Sequence, residues 1–214
     1  MSHKRTGIFQ VNSKIFKISV IVPVHNSERF LEACIQGLLS QRYPEDAFEI
    51  IMVDNNSTDG SVEIIKSYQR VRLLTEHKQG SYAARNFGLS RAKGEIIAFT
   101  DADCIPDPSW LAHIADAMSH PGTHILLGDC RFAGGSSILS LLADYESEKT
   151  CYVCSRDEKD IYYGYTNNMA VRKEVFDHLG LFREIDRGAD VIFIRRALDI
   201  YDCSVVRYIP EQCV

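Results

Sequence analysis

The sequence has no apolar run long enough to cross a bilayer, and its opening, MSHKRTGIFQVNSKIF, lacks the h-region of a secretory leader. Basic excess is missing as well: 24 Lys and Arg stand against 29 Asp and Glu, for a net charge of −5. No global positive field is therefore present to hold nucleic acid, although a bound cation or a few backbone amides can still hold a local anion. Cysteines are not scarce, but the seven at 34, 104, 130, 151, 154, 203 and 213 are odd in number and irregularly spaced, which argues against a disulfide framework. Cys151 and Cys154 make one CxxC without a second ligand pair, and are expected as free thiols on an amphipathic helix. Together these absences point to the cytoplasm.

What is present is ordinary globular composition, 45% hydrophobic and 25% charged over 214 residues, enough for one domain with a real core. Residues 1–16 read as an arm. From Lys17 short apolar runs alternate with helical patterns: strands are expected at 17–24, 48–54, 71–76 and 95–103, with helices at 28–41, after Gly60 and over 81–93. Short connections between them imply βαβ units and a parallel sheet, and the continuous apolar runs IIMV and IIAF suit strands covered on both faces. The second half is mixed, with helices at 109–119, 137–155, 172–179 and 190–200 and strands at 124–132 and 203–210. Ile138, Leu139, Leu141 and Leu142 form an apolar stripe, expected in the core, with peripheral membrane contact as its alternative.

Three strands end in polar clusters: Pro23-Val24-His25-Asn26, Asp54-Asn55-Asn56-Ser57 and Asp101-Ala102-Asp103. In open α/β sheets ligands bind at that edge. Asp101 and Asp103, two apart at a strand end, can face one side and share a cation, and oxygen-only ligation suits Mg²⁺ or Mn²⁺. A solvated loop cap is the plainer reading of such a pair. Asp54 can accept from a ribose hydroxyl or base N–H, or serve the dipole of the next helix. His25 is either a stacking platform or a satisfied loop histidine, and Arg85, following Gly80, either reaches phosphate or stays solvated.

The ordered segments KISVIVPVHNSERFLEACIQGLLSQ, IIMVDNNSTDGS, QGSYAARNFGLSRAKGEIIAFTDADCIPDPSWL and YTNNMAVRKEVFDHLGLF resemble the family 2 glycosyltransferases with the GT-A fold, over about residues 17–211. The resemblance implies an α/β fold: a Rossmann-like, mixed but mostly parallel central sheet flanked by helices. It implies one domain over 17–214, with a nucleotide-binding half at 17–107 and an acceptor and catalytic half at 108–214. Pro23, Val24, His25, Asn26 and Asp54 would then surround the nucleobase and ribose, with Gly80 and Arg85 near the nucleotide. Asp101, Ala102 and Asp103 would contact the ribose and metal-bound diphosphate, the metal being Mn²⁺ or Mg²⁺. Asn167 and Asn168 would approach the donor sugar or acceptor, and Asp190 would be the general base, with Asp186 as a weaker substitute.

The sequence departs from that family's pattern at several places. Ala189 stands where an acidic pair is usual, Asn55 where a second aspartate is common and His25 where many relatives have tyrosine. The lone tryptophan, Trp110, leaves no QxxRW element. The activity implied is inverting transfer of a sugar from a nucleotide diphosphate sugar, UDP-linked by family preference, to a saccharide or lipid-linked acceptor in polysaccharide, glycolipid or cell-envelope synthesis. Its place of work would be the cytoplasm or the inner face of the membrane. A degenerate nucleotide-sugar binder is the rival from another class. A nucleotidyltransferase is disfavoured because VPVHNSERF has no glycine to cradle a triphosphate, and no GxGxxG follows the first strand for a dinucleotide.

Overall fold

Alternation along the first strand decides which layer each residue joins. In β1 (Ile18–Val24), Val20, Val22 and Val24 pack into one apolar layer and Ile21 into the other, as a period of two requires. The same division runs through β2 (Phe48–Asp54), where Ile50 and Met52 oppose Ile51 and Val53, and through β4 (Ile96–Thr100). One face is covered by α1 (Glu28–Leu39), α2 (Ser61–Lys66) and α4 (Trp110–Met118). The other is covered by α3 (Ser81–Arg91), α6 (Lys173–Leu179) and α7 (Ala189–Ile200), with Val153 of α5 (Ser137–Cys154) joining them. The computed structural model describes residues 14–131 and 137–213. Most of the expected N-terminal arm thus lies outside the described residues, while Phe16 is buried and exchanges two 2.9 Å hydrogen bonds with the Tyr43 hydroxyl.

With β3 (Val71–Thr75), β5 (Ile125–Asp129), β6 (Asn168–Arg172) and β7 (Val206–Cys213), the seven strands form one sheet in the order β3-β2-β1-β4-β6-β5-β7. All neighbours pair in parallel except β6, which runs antiparallel between β4 and β5. The sheet is therefore mixed and mostly parallel, as expected.

Four features differ from the sequence reading. β6 is an additional strand: NMAVR carries one β-branched residue and an asparagine, so its strand character comes from the two edges it bridges rather than from its own propensity. β4 stops at Thr100, where its pairing with Asn168 ends, so Asp101 and Asp103 sit in the following turn, closed by Cys104 N–H donating to Asp101 O at 3.1 Å. The stripe expected in the core is on the surface, with Ile138 and Leu141 each 68% exposed and Leu142 exposed beside them; the Leu139 side chain lies outside the described residues. The last strand begins at Val206, because Cys203–Val205 forms a 3₁₀ turn whose start is capped by Asp202 accepting from Ser204 N–H. Cys151 and Cys154 are free thiols on α5, as read.

α3 approaches the sheet closely because Gly88 has no side chain: a Cβ there would lie 2.7 Å from Ile21 Cγ2 and 3.1 Å from Val53 Cγ2. Both neighbours are buried β-branched residues with little room to turn. Gly88→Ala should cost about 1–3 kcal/mol from overpacking, read as a lower urea midpoint with unchanged slope. An unchanged midpoint would show that α3 can shift at no cost.

Candidate active site

The carboxyl ends of β1, β2 and β4 open into a cleft of about 530 Å³. Its walls include Pro23, Val24, His25 and Asn26 after β1, Gly80 and Ser81 at the start of α3, and Arg85, Asp101, Ala102 and Asp103. Nine of the residues singled out from the sequence thus share one cavity. The backbone is built for it: Asn26 (φ 48°) and Gly80 (φ 130°) take left-handed conformations, the second of which only glycine accommodates without strain. His25 Nδ1 lies 2.8 Å from the Asn55 carbonyl, which orients the imidazole beside the cleft.

Asn55, rather than Asp54, belongs to the cleft wall. Its amide Nδ2 donates to the carbonyls of Glu76 and Lys78, each at 2.8 Å, and its Oδ1 accepts from Gly80 N–H at 2.8 Å. Asn55 thus holds the loop leading into α3 at three points, and Asn56 Nδ2 adds a fourth by donating to His77 O at 3.1 Å. Asp54 is buried behind the wall, and its Oδ1 accepts from Ser57 N–H at 3.2 Å. Asp59 fastens two helix starts, accepting from Glu28 N–H at 3.0 Å and Ser61 N–H at 3.1 Å.

Electrostatically, the centre of the cleft is an ion pair. The Arg85 side chain is only 4% exposed, and its Nη2 donates to Asp101 Oδ1. Arg85 is thus not solvated: one of its donors is committed to Asp101, and one oxygen of Asp101 is committed in turn, while the residue still lines the cleft. Burial pushes the Asp101 carboxyl above its usual range, opposed by Arg85 and reinforced by the charges of Asp103 and Asp190. Among the described residues, Arg85 Nε is buried without an acceptor. Asp103 is exposed at the mouth. Burial also pushes the Cys104 thiol up to about 11 and raises that of Cys34, so neither is a thiolate at neutral pH. The carboxylate oxygens available to a cation here are those of Asp103 and the remaining oxygen of Asp101, and no cluster of three His, Cys, Asp or Glu placed to hold a metal ion occurs among the described residues. Oxygen donors of this kind suit Mg²⁺ or Mn²⁺ only where water and phosphate complete the shell.

A second cavity of about 350 Å³ adjoins the first, sharing Ser81, Arg85 and Asp101, and contains Asp190, Asp186, Tyr82, Tyr165 and Asn167. Asp190 is buried in the first turn of α7, accepting from its neighbour Val191 N–H at 2.9 Å and from Thr166 N–H at 3.3 Å. Burial and the facing charge of Asp190 raise the Tyr82 hydroxyl. Asn168 is outside this cavity but lines a further one: its Oδ1 accepts from Trp110 Nε1 at 2.9 Å and its Nδ2 donates to Asp129 O at 2.6 Å, so its amide braces α4 against β5. Its neighbour Asn167 faces this second cavity instead. The sequence reading also passed over Tyr82 and Asn86. Asn86 is buried, and its amide clamps Phe182 through both backbone groups, at 2.9 and 3.1 Å, holding the segment that leads to Asp190. Their positions one turn of helix around Arg85 were the available signal.

A mixed α/β sheet with an acidic cleft at its carboxyl edge, joined to a cavity holding a further carboxylate, defines the class: a domain of the GT-A kind. The family model described as Glycosyl transferase family 2 matches residues 19–180, and the chain belongs to that family. It is 33% identical over 191 residues to the glycosyltransferase AglE of Haloferax volcanii, covering 85% of this chain and 61% of that protein. Among solved structures, TarS 1–349 of S. aureus in complex with UDP superposes with a TM-score of 0.74 at 21% identity, over 92% of this chain and 59% of that one. The mannosyltransferase PcManGT from Pyrobaculum calidifontis, solved with GDP-Man and Mn²⁺, gives 0.72 at 22% identity, over 94% and 56%. The chain thus spans about three fifths of the lengths of these relatives.

Asn55 explains one departure from the family pattern. Only an amide can donate to two carbonyls while accepting from Gly80; a carboxylate would face both carbonyls as an acceptor. Asn55→Asp should therefore lower stability by about 1–3 kcal/mol at pH 7. The introduced carboxyl would have a raised folded-state pKa, so its deficit is smallest at acid pH and grows as pH rises through that value. Urea melts at pH 4 and pH 7 check this, and an equal deficit at both would contradict it.

Proposed function

We propose that this chain transfers a sugar from a nucleoside diphosphate donor, UDP-linked, to an acceptor hydroxyl with inversion, in the assembly of a cell-envelope or related glycan. The observation that carries this reading is the adjacency of the two cavities: the cleft bearing Asp101 and Asp103 shares Ser81, Arg85 and Asp101 as a common wall with the pocket bearing Asp190. Family membership supports it, as do the UDP named with TarS and the donor and Mn²⁺ named with PcManGT.

In this mechanism Pro23 to Asn26 take the base and ribose, and Asn55 holds the Gly80 loop in place against them. The backbone at Gly80–Ser81 presents the positive end of α3 to the diphosphate. Asp103 and the free oxygen of Asp101 would hold Mn²⁺ or Mg²⁺, whose charge stabilises the departing diphosphate. The acceptor oxygen attacks the anomeric carbon from the side opposite the leaving group. Its bond to carbon forms as the carbon–oxygen bond to the diphosphate breaks, and its proton passes to Asp190. The two backbone N–H donors on Asp190 fix its orientation while leaving it a lone pair to receive that proton.

Release of nucleoside diphosphate from a panel of nucleotide sugars, with Mn²⁺ and acceptors supplied, tests the reading. Asp190→Asn should reduce turnover by about 10²–10⁴-fold and leave donor affinity near its original value. Normal turnover would remove Asp190 from catalysis. Binding of donor without any release would favour the non-catalytic binder. In a thermal-shift titration, Asp103→Ala should abolish the extra stabilisation that Mn²⁺ gives to bound UDP; a shift of the original size would exclude Asp103 as a ligand.

A further inference from the structure

A third cavity, of about 410 Å³, lies beyond the Asp190 pocket and shares Tyr165 and Asn167 with it. That volume falls within the usual range for small-molecule sites. The fold supplies its walls from β5, α5 and the segment before β6. Tyr163 and Tyr165 stand with ring centres 5.6 Å apart and planes at 51°, and Tyr165 is 50% exposed. Leu127 and Leu142 add apolar surface, while Asp129 and Glu146 bring carboxylates.

The charges around this cavity are arranged in a particular order. Lys149 pairs with Glu146 and lies over the Tyr163 ring at 4.9 Å, and Arg131 approaches Asp129 at 3.9 Å. Neither cation is among the residues lining the cavity, which has no lysine or arginine in its described wall. Among the described residues of the wall a ligand therefore meets aromatic faces, hydroxyls and carboxylates, while the two neighbouring cations, Lys149 and Arg131, are already engaged by Glu146 and Asp129. Burial pushes the Asp129 carboxyl upward, as expected for a carboxylate without full compensation. Aromatic faces bind the C–H faces of a sugar ring, and carboxylates accept from its hydroxyls.

We propose that this cavity is the acceptor subsite and that it takes an uncharged saccharide, with Tyr165 as the platform leading its reacting hydroxyl towards Asp190. An acceptor carrying phosphate beside the reacting sugar would meet carboxylates there. This assignment rests on the glycosyltransferase reading above, but it can be tested by binding alone.

Ligand-observed NMR on the full chain, in the presence of UDP and Mn²⁺, would use the methyl glycosides of glucose, galactose, mannose and N-acetylglucosamine, with ribitol 5-phosphate and glycerol 3-phosphate as anionic probes. At least one neutral glycoside should bind. Tyr165→Ala, at a half-exposed position that folding tolerates, and the near-isosteric Asp129→Asn should each weaken that binding by about tenfold, a size usual for truncating an anchor contact. UDP titrated into the same variants reports the donor cleft separately. Absence of any neutral binder, unchanged affinity in both variants, or preferential binding of the polyol phosphates would overturn the proposal. Loss of UDP binding with glycoside binding intact would instead count against the donor reading and leave this one standing.

Discussion

The Arg85–Asp101 pair is the contact on which the rest of the site depends. A guanidinium buried this deeply is costly unless it is paired, and removing its partner typically costs about 3–5 kcal/mol. The pair therefore fixes α3 against the turn after β4. From that anchor α3 serves three sides at once: its first residues line the cleft at the strand ends, Tyr82 faces Asp190, and Asn86 clamps Phe182. Phe182 in turn packs against Phe99, Phe176 and Phe193, so the segment leading to Asp190 is held by the core as well as by the clamp.

The same pair shapes the electrostatics. Arg85 offsets part of the cost of burying Asp101, yet burial together with Asp103 and Asp190 still leaves that carboxyl raised. Across the two cavities four carboxylates, Asp101, Asp103, Asp186 and Asp190, stand with two cations, Arg85 and Arg187, which leaves the region short of positive charge. A divalent cation would answer that deficit of positive charge.

The first half of the molecule was legible because its signals are local. Apolar runs gave β1 to β4, and the polar clusters at their ends met in one cleft. Side-chain roles were less legible where a residue's partners come from distant segments. Asn168 falls in a motif that suggested ligand contact and does line the third cavity, but the bracing of its amide by Trp110 and Asp129 could not be read from the motif. Asn55 stood out only as a departure from the family pattern and is a strut for the Gly80 loop. The apolar stripe on α5 had the spacing of a core helix, but the packing of the sheet, which periodicity does not encode, leaves it exposed.

β6 shows the limit most clearly and explains how the two halves meet. Its five residues have little strand propensity, and its direction opposes both neighbours. Its register, with Asn168 opposite Thr100, brings residues 165–167 beside the turn that carries Asp101. A parallel strand at this place would direct its N-terminus to the opposite edge of the sheet. This antiparallel strand is therefore what sets Tyr165, Thr166 and Asn167 between the cleft of Asp101 and the third cavity, and Thr166 then supplies a backbone donor to Asp190.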